Sequence, residues 1–167
     1  LQPKQVQRLD KAATVMASQA SYWICPSQFV QKALCQHFQV PAGRTTVVRP
    51  GVTDTFRTQV QEAKKIPPRD SSPYFLFLGS IEPRRNLHCL LQAFQRAVQR
   101  GLKSKLIVAG VDGWKTKTIQ ALPEINTKAR ETIHFTGFVP ERDLPALFAH
   151  AIGFVHPSRY EAAGSTV

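Results

Sequence analysis

Two neighbouring arginines, Arg84 and Arg85, stand in the segment GSIEPRRN (79–86), between an apolar run that ends at Leu78 and a helical pattern that begins at Leu87. Two fixed cations at the entrance to a helix suit an anionic ligand. At a separation of ~4 Å and an effective dielectric of ~20, each charge pair is worth about 4 kcal/mol before desolvation is subtracted, enough to hold a diphosphate. A second segment, HPSRYEAAG (156–164), carries one carboxylate, Glu161, beside small residues. Small residues leave room for a sugar or a base against exposed N–H groups, and a carboxylate accepts hydrogen bonds from sugar hydroxyls. His156 ends an apolar run and reads as a core histidine. Tyr160, Trp114 and Phe138 have the ring faces to stack on a base, or to pack.

Other chemistries lack their signatures. The chain has no G-x-G-x-x-G after its first long apolar run, no G-x-x-x-x-G-K-[ST] and no G-x-S-x-G. Its five histidines show no i, i+4 pair or other metal spacing, so no protein-bound catalytic metal is expected.

The elements that position these residues follow a regular pattern. Residues 74–78 are a continuous apolar run, Leu87 to Gln99 has helical periodicity, and Gly101 supplies a stop. The unit repeats as a strand at 105–109 and a helix at 115–121, then as a strand at 132–135 and a helix at 141–151, before a last strand at 152–156. Continuous apolar strands alternating with helices predict a parallel sheet covered on both faces, an α/β Rossmann-like arrangement. Ligands of such sheets lie outside the carboxyl ends of the strands, which selects 79–86, 110–114, 136–140 and 157–165. Towards the amino end, a helix is expected at 6–20, a strand at 22–26, a helix at 27–38 capped by Ser27, and a strand at 45–48. Residues 53–72, with Pro67-Pro68 and two terminal serines, have linker composition.

The 167 residues are 43% hydrophobic and 20% charged, with mean hydropathy −0.21, a soluble globular composition. No apolar run approaches the roughly 20 residues that cross a bilayer. Cys25, Cys35 and Cys89 include no CxxC pair, which points to a reducing compartment rather than a disulfide framework. The net charge is +11. Residues 1–72 carry ten Lys and Arg against four Asp and Glu, and residues 73–167 twelve against seven. This even spread attracts phosphates of any kind and has no nucleic-acid motif beside it, so no nucleic-acid partner is expected.

An ordered series of segments resembles a known family. YFLFLGSIEPRRNL (74–87), LIVAG (106–110) with Gly113 and Trp114, IHFTGFVP (133–140), DLPALF (143–148) and FVHPSRYE (154–161) are similar to successive landmarks of the group-one, family-four retaining glycosyltransferases of GT-B fold. ICPSQF (24–29) and VVRPGV (47–52) resemble the end of that family's acceptor-side domain and the crossing to its donor domain. The resemblance implies residues 1–52 as the end of the acceptor-side domain, 53–72 as an interdomain linker, and 73–167 as an incomplete nucleotide-sugar-binding domain. It implies transfer, with retention, of a sugar from a UDP- or GDP-sugar to a saccharide or lipid-linked saccharide acceptor. No further cofactor is implied. Arg84 and Arg85 would meet the diphosphate, the Phe138 and Val139 backbone the base, and Glu161 the donor sugar. Gly79, Ser80 and Gly110 would border the donor, with Ala163, Gly164 and Ser165 offering backbone N–H groups.

The family's usual Arg-Lys pair is Arg84-Arg85 here. Ala-Ala-Gly-Ser-Thr follows Glu161 where Gly-Phe-Gly-Leu-Pro is usual, and a second glutamate would fall at position 169. The altered segment keeps an alternative open, a non-catalytic nucleotide- or phosphate-binding module of the same fold. The chain as given is expected to be a piece of a longer enzyme that transfers no sugar alone. A cytoplasmic location is expected, with peripheral contact at the anionic inner face of the membrane.

Overall fold

The computed structural model describes residues 3–68, 70–113 and 126–164. They fall into two units, one built on residues up to Gly51 and joined by Ala162 to Gly164, the other running from Val52 to Glu161.

In the first unit, helix α1 (Pro3–Gln19), strand β1 (Trp23–Cys25), helix α2 (Gln28–Phe38) and strand β2 (Thr45–Val47) follow in order. The two strands pair in parallel, with Trp23 opposite Thr45 and Cys25 opposite Val47. Helix α2 begins where Ser27 stops it: the Ser27 hydroxyl oxygen accepts from the Val30 N–H at 3.2 Å, satisfying one of the free donors of the first turn. Ala17, Cys25, Leu34 and Val40 form the buried centre.

Residues 53–72 of the second unit were expected as linker, yet Asp54–Lys64 form helix α3. Thr53 caps it, its hydroxyl accepting from the Phe56 N–H at 3.3 Å. Phe56, Val60 and Ala63 are the half-buried residues of an otherwise exposed helix, a spacing of four and three that places them on one face. Phe56 meets Phe148 edge-on, with ring centroids 5.9 Å apart. Three apolar positions are too few to outweigh the polar composition in a sequence pattern.

The sheet of this unit contains β3 (Tyr74–Leu78), β4 (Lys105–Ala109), β5 (Ile133–Gly137) and β6 (Gly153–Phe154). All pairs are parallel, and the order across the sheet is β5-β4-β3-β6. Alternation along the strands divides the core. Phe77, Leu106 and Val108 face helix α4 (Leu87–Gln99), which buries Leu87, Leu90, Leu91, Phe94 and Val98 against them. Ala129 of the short helix α5 (Thr127–Glu131) completes that side. Leu76 and Ala109 face the other way, onto Leu147 and Phe148 of helix α6 (Leu144–His150). The α/β fold with parallel strands and helices on both faces is thus the one expected.

Boundaries differ in two places. The helix expected over 141–151 starts as a 3-10 turn, Glu141–Asp143, because Pro145 sits in the first turn of α6 where its missing N–H costs least. Strand β6 is shorter than 152–156, although the Ile152 N–H to Tyr74 C=O bond (2.9 Å) and the Val155 N–H to Leu76 C=O bond (2.8 Å) prolong its ladder at each end. The helix expected at 115–121 and Trp114 lie outside the described residues.

Candidate functional site

After β5 the chain crosses back through α6 and returns beside β3, so strand order reverses between β3 and β6. Outside the carboxyl ends of the two strands that flank such a reversal, the loops leave in different directions and open a crevice. The two loops here are 79–86 after β3 and 155–161 after β6.

Glycines let the strand ends abut. The Gly79 N–H donates to Ala109 C=O at 2.9 Å and the Gly110 N–H to Gly137 C=O at 2.8 Å. Gly79 and Gly110 have φ of 145° and 150°, values that side chains disfavour. A Cβ on Gly110 would lie 2.0 Å from the Gly79 carbonyl oxygen.

The loop 79–86 is braced from within. Ser80 donates its hydroxyl to Glu82 Oε1 at 3.0 Å, and the Ile81 N–H bonds Val111 C=O at 2.9 Å. Pro83–Arg85 form a 3-10 turn, and Asn86 turns left-handed (φ 56°) to enter α4. Two bonds then join this loop to the other: Asn86 Nδ2 donates to Pro157 C=O (3.2 Å), and the Arg159 N–H donates to Arg84 C=O (2.9 Å).

Between the loops lies a cluster of charged and polar side chains. Arg85 Nη1 is 2.8 Å and Arg84 Nη1 3.0 Å from Glu161 Oε1, while Arg84 Nη2 is 2.8 Å from Glu82 Oε1. Arg85 is 14% exposed and Arg84 42%, so the first is the more strongly coupled to its partners. His156 Nε2 lies 3.1 Å from Glu161 Oε1, 3.1 Å from Arg85 Nη1 and 3.2 Å from Ser158 Oγ. Its ring stacks on Phe154, with centroids 5.8 Å apart. Nδ1 is buried with no hydrogen-bond partner among the described residues.

His156 is therefore no satisfied core histidine, as its sequence position had suggested. It belongs to the charged cluster, with Glu82, Asn86 and Ser158, none of which the sequence reading singled out. The signal available was positional, since all four flank expected site residues.

The Glu161 carboxyl is held below its ordinary value. Burial pushes it up, but the Ser158 hydrogen bond, the Arg85 charge, the His156 hydrogen bond and the Arg84 charge together outweigh that. A depressed carboxyl contributes stability that is present above the unfolded value of about 4.5 and is lost as pH falls through the folded one. Glu161→Gln is accordingly expected to be less stable than wild type at neutral pH in urea titrations. The difference should shrink as the buffer is taken below pH 4.5; a gap that stays constant would remove the ion pairs from the account.

The remaining expected site residues differ in exposure. Phe138 follows Gly137 (φ 69°) and is 73% exposed, whereas Val139 packs inward near Tyr74, Leu76 and Ala109. Tyr160 is exposed, as are Ala163 and Gly164, which belong to the first unit. Ser165 lies outside the described residues.

Comparison with known proteins agrees with the fold. The model of the family "Glycosyl transferases group 1" matches residues 59–167. O-antigen chain mannosyltransferase B of Escherichia coli is 40% identical over 92 residues, which are 54% of this chain and 24% of that protein. Among solved structures, HepE of Anabaena in complex with UDP-glucose superposes with a TM-score of 0.71 at 20% identity, covering 93% of this chain and 43% of that one. Sucrose-phosphate synthase of Thermosynechococcus elongatus gives 0.71 at 20% identity over 99% of this chain and 42% of its own. The chain thus spans about a quarter of the curated relative's length and about two-fifths of the solved chains. The family model covers more than half of the chain and runs across both loops, so the chain belongs to the group 1 glycosyl transferases.

Proposed function

We propose that the whole protein transfers a hexosyl group, with retention, from a UDP- or GDP-sugar to a saccharide or lipid-linked saccharide acceptor. The observation that carries this reading is the convergence of Arg84, Arg85 and His156 on Glu161 between the loops after β3 and β6. In the reaction a glycosyl–oxygen bond to the diphosphate breaks and one to an acceptor oxygen forms, the acceptor's hydroxyl proton leaving with the diphosphate, on which negative charge grows as the bond breaks. Arg84 and Arg85 stabilise that charge; fixed cations in a partly dry crevice act more strongly there than they do in water. Glu161, freed from them, accepts hydrogen bonds from the donor sugar.

The abutting glycines, Gly79 and Gly110, let the donor approach the backbone, with Ser80 beside them. The backbone of Phe138 and Val139 meets the base. Ala163, Gly164 and Ser165 supply N–H groups. Residues up to 52 are read as the end of an acceptor-side domain and the second unit as donor-binding. The mannosyl transfer in the name of the Escherichia coli relative makes a mannosyl nucleotide the first donor to try. Peripheral contact with an anionic membrane on its cytoplasmic side would bring the enzyme to a lipid-linked acceptor.

The test is release of labelled sugar by the whole protein from a panel of UDP- and GDP-hexoses, with product anomer determined by NMR. Turnover of one donor with the anomeric configuration kept is the expected result. Nucleotide binding without any turnover would favour a non-catalytic binding module, and an inverted anomer would end the retaining assignment.

A further inference from the structure

The anion seat is not open as the structure stands. Its two guanidinium groups face two carboxylates, Glu82 and Glu161, so the four charges cancel. A diphosphate arriving at Arg84 and Arg85 meets a carboxylate oxygen already within hydrogen-bond distance of both Nη1 atoms, at 3.0 and 2.8 Å. Two like-charged groups cannot share those donors at these distances without a large repulsion.

The two carboxylates differ in how they are held. Glu82 lies inside the braced loop 79–86, where Ser80 donates to it, and it touches Arg84 at 2.8 Å but Arg85 only at 4.0 Å. Glu161 reaches both arginines through its side chain, while the backbone before it is held to the other loop by Arg159 N–H to Arg84 C=O (2.9 Å) and by Arg84 Nη1 to Tyr160 C=O (3.5 Å). Its carboxylate can leave by rotation about its own side-chain bonds while both loops keep their backbone pairing.

We infer that the Glu161 carboxylate is an internal occupant of the Arg84–Arg85 seat, and that a diphosphate enters by taking its place. The inference rests on the reading of both arginines as diphosphate contacts. Exchange has a functional consequence: the arginines stay neutralised until the donor arrives, and the donor's own diphosphate then releases Glu161 towards the sugar. His156 belongs to the resting arrangement, its Nε2 lying 3.1 Å from the same Glu161 oxygen.

Calorimetry with inorganic pyrophosphate, which has neither base nor sugar, isolates the seat. The whole protein is compared with Glu161→Gln, Glu161→Asp, Arg84→Ala and Arg85→Ala at neutral pH, each shown by thermal melting to be folded. Glu161→Gln should bind pyrophosphate roughly tenfold more tightly than wild type, about the worth of one partly screened charge-assisted hydrogen bond. Glu161→Asp keeps the charge but cannot span both guanidinium groups, so it too should bind more tightly than wild type. Equal or weaker binding by both variants overturns the exchange. So does tighter binding by Glu161→Gln alone, which would be an effect of net charge. Pyrophosphate affinity unchanged in both arginine variants overturns the diphosphate reading itself, whereas loss in those variants without gain in the Glu161 variants overturns only the exchange. No binding by any of the five proteins overturns both.

Discussion

Arg85→Ala in the whole protein is expected to weaken nucleotide diphosphate binding by roughly 10- to 100-fold, the worth of a hydrogen-bonded charge in a partly dry site. Arg85 is the larger contributor of the pair because only 14% of its side chain is exposed, against 42% for Arg84. Less water surrounds it, so its charge is less screened. Arg84→Ala should therefore cost less than Arg85→Ala. Arg85→Lys should recover only part of the loss, because an ammonium cannot reproduce the fixed fork that reaches Glu161 and His156 together. Calorimetry with UDP and with GDP measures the effect, and thermal melting of each variant separates it from unfolding. Affinity equal to wild type in Arg85→Ala would move the diphosphate elsewhere.

Gly110→Ala should be the most damaging small substitution in the second unit. The new Cβ would stand 2.0 Å from the Gly79 carbonyl oxygen and 2.6 Å from its carbon, both backbone atoms that no rotamer change can move. The φ of 150° adds a conformational penalty for any L side chain. Relief requires the ends of β3 and β4 to part, which breaks the Gly79 N–H to Ala109 C=O bond and displaces the loop that carries Arg84 and Arg85. A loss on the order of 3 kcal/mol in urea unfolding is expected, with weaker nucleotide binding in whatever fraction remains folded. Gly43→Ala is the control. A Cβ there meets nothing within 4 Å, and its stability should change by about 0.5 kcal/mol or less. Equal stabilities for the two variants would show that the close passage of the strand ends is unimportant.

Both expectations draw on residues that the sequence marked and on contacts that it could not specify. Strands 74–78 and 105–109 were legible because residues buried on both faces of a parallel sheet form continuous apolar runs, and α4 was legible because its apolar residues repeat at helical spacing. The Ser27 cap was legible as well, being a contact between residues three apart. Helix α3 was missed because its apolar face consists of Phe56, Val60 and Ala63, within a composition otherwise typical of a linker. What holds that face is Phe148, about ninety positions away.

The sequence by itself determined which residue types stand at the strand ends: glycines at 79, 110 and 137, the arginine pair at 84 and 85, and a carboxylate at 161. Local chemistry sets these features, so they can be read without a fold. Only the tertiary structure decided that β6 returns beside β3 rather than beyond β5, because that choice depends on which face α6 covers and on pairings such as Phe75 with Gly153. The placement of β6 brings 155–161 against 79–86. It brings the carboxylate expected at the donor sugar, Glu161, and an expected core histidine, His156, against Arg85, 76 and 71 residues away along the chain. Charges so far apart in sequence are coupled by proximity in space, and proximity is a property of the packed sheet rather than of any segment within it.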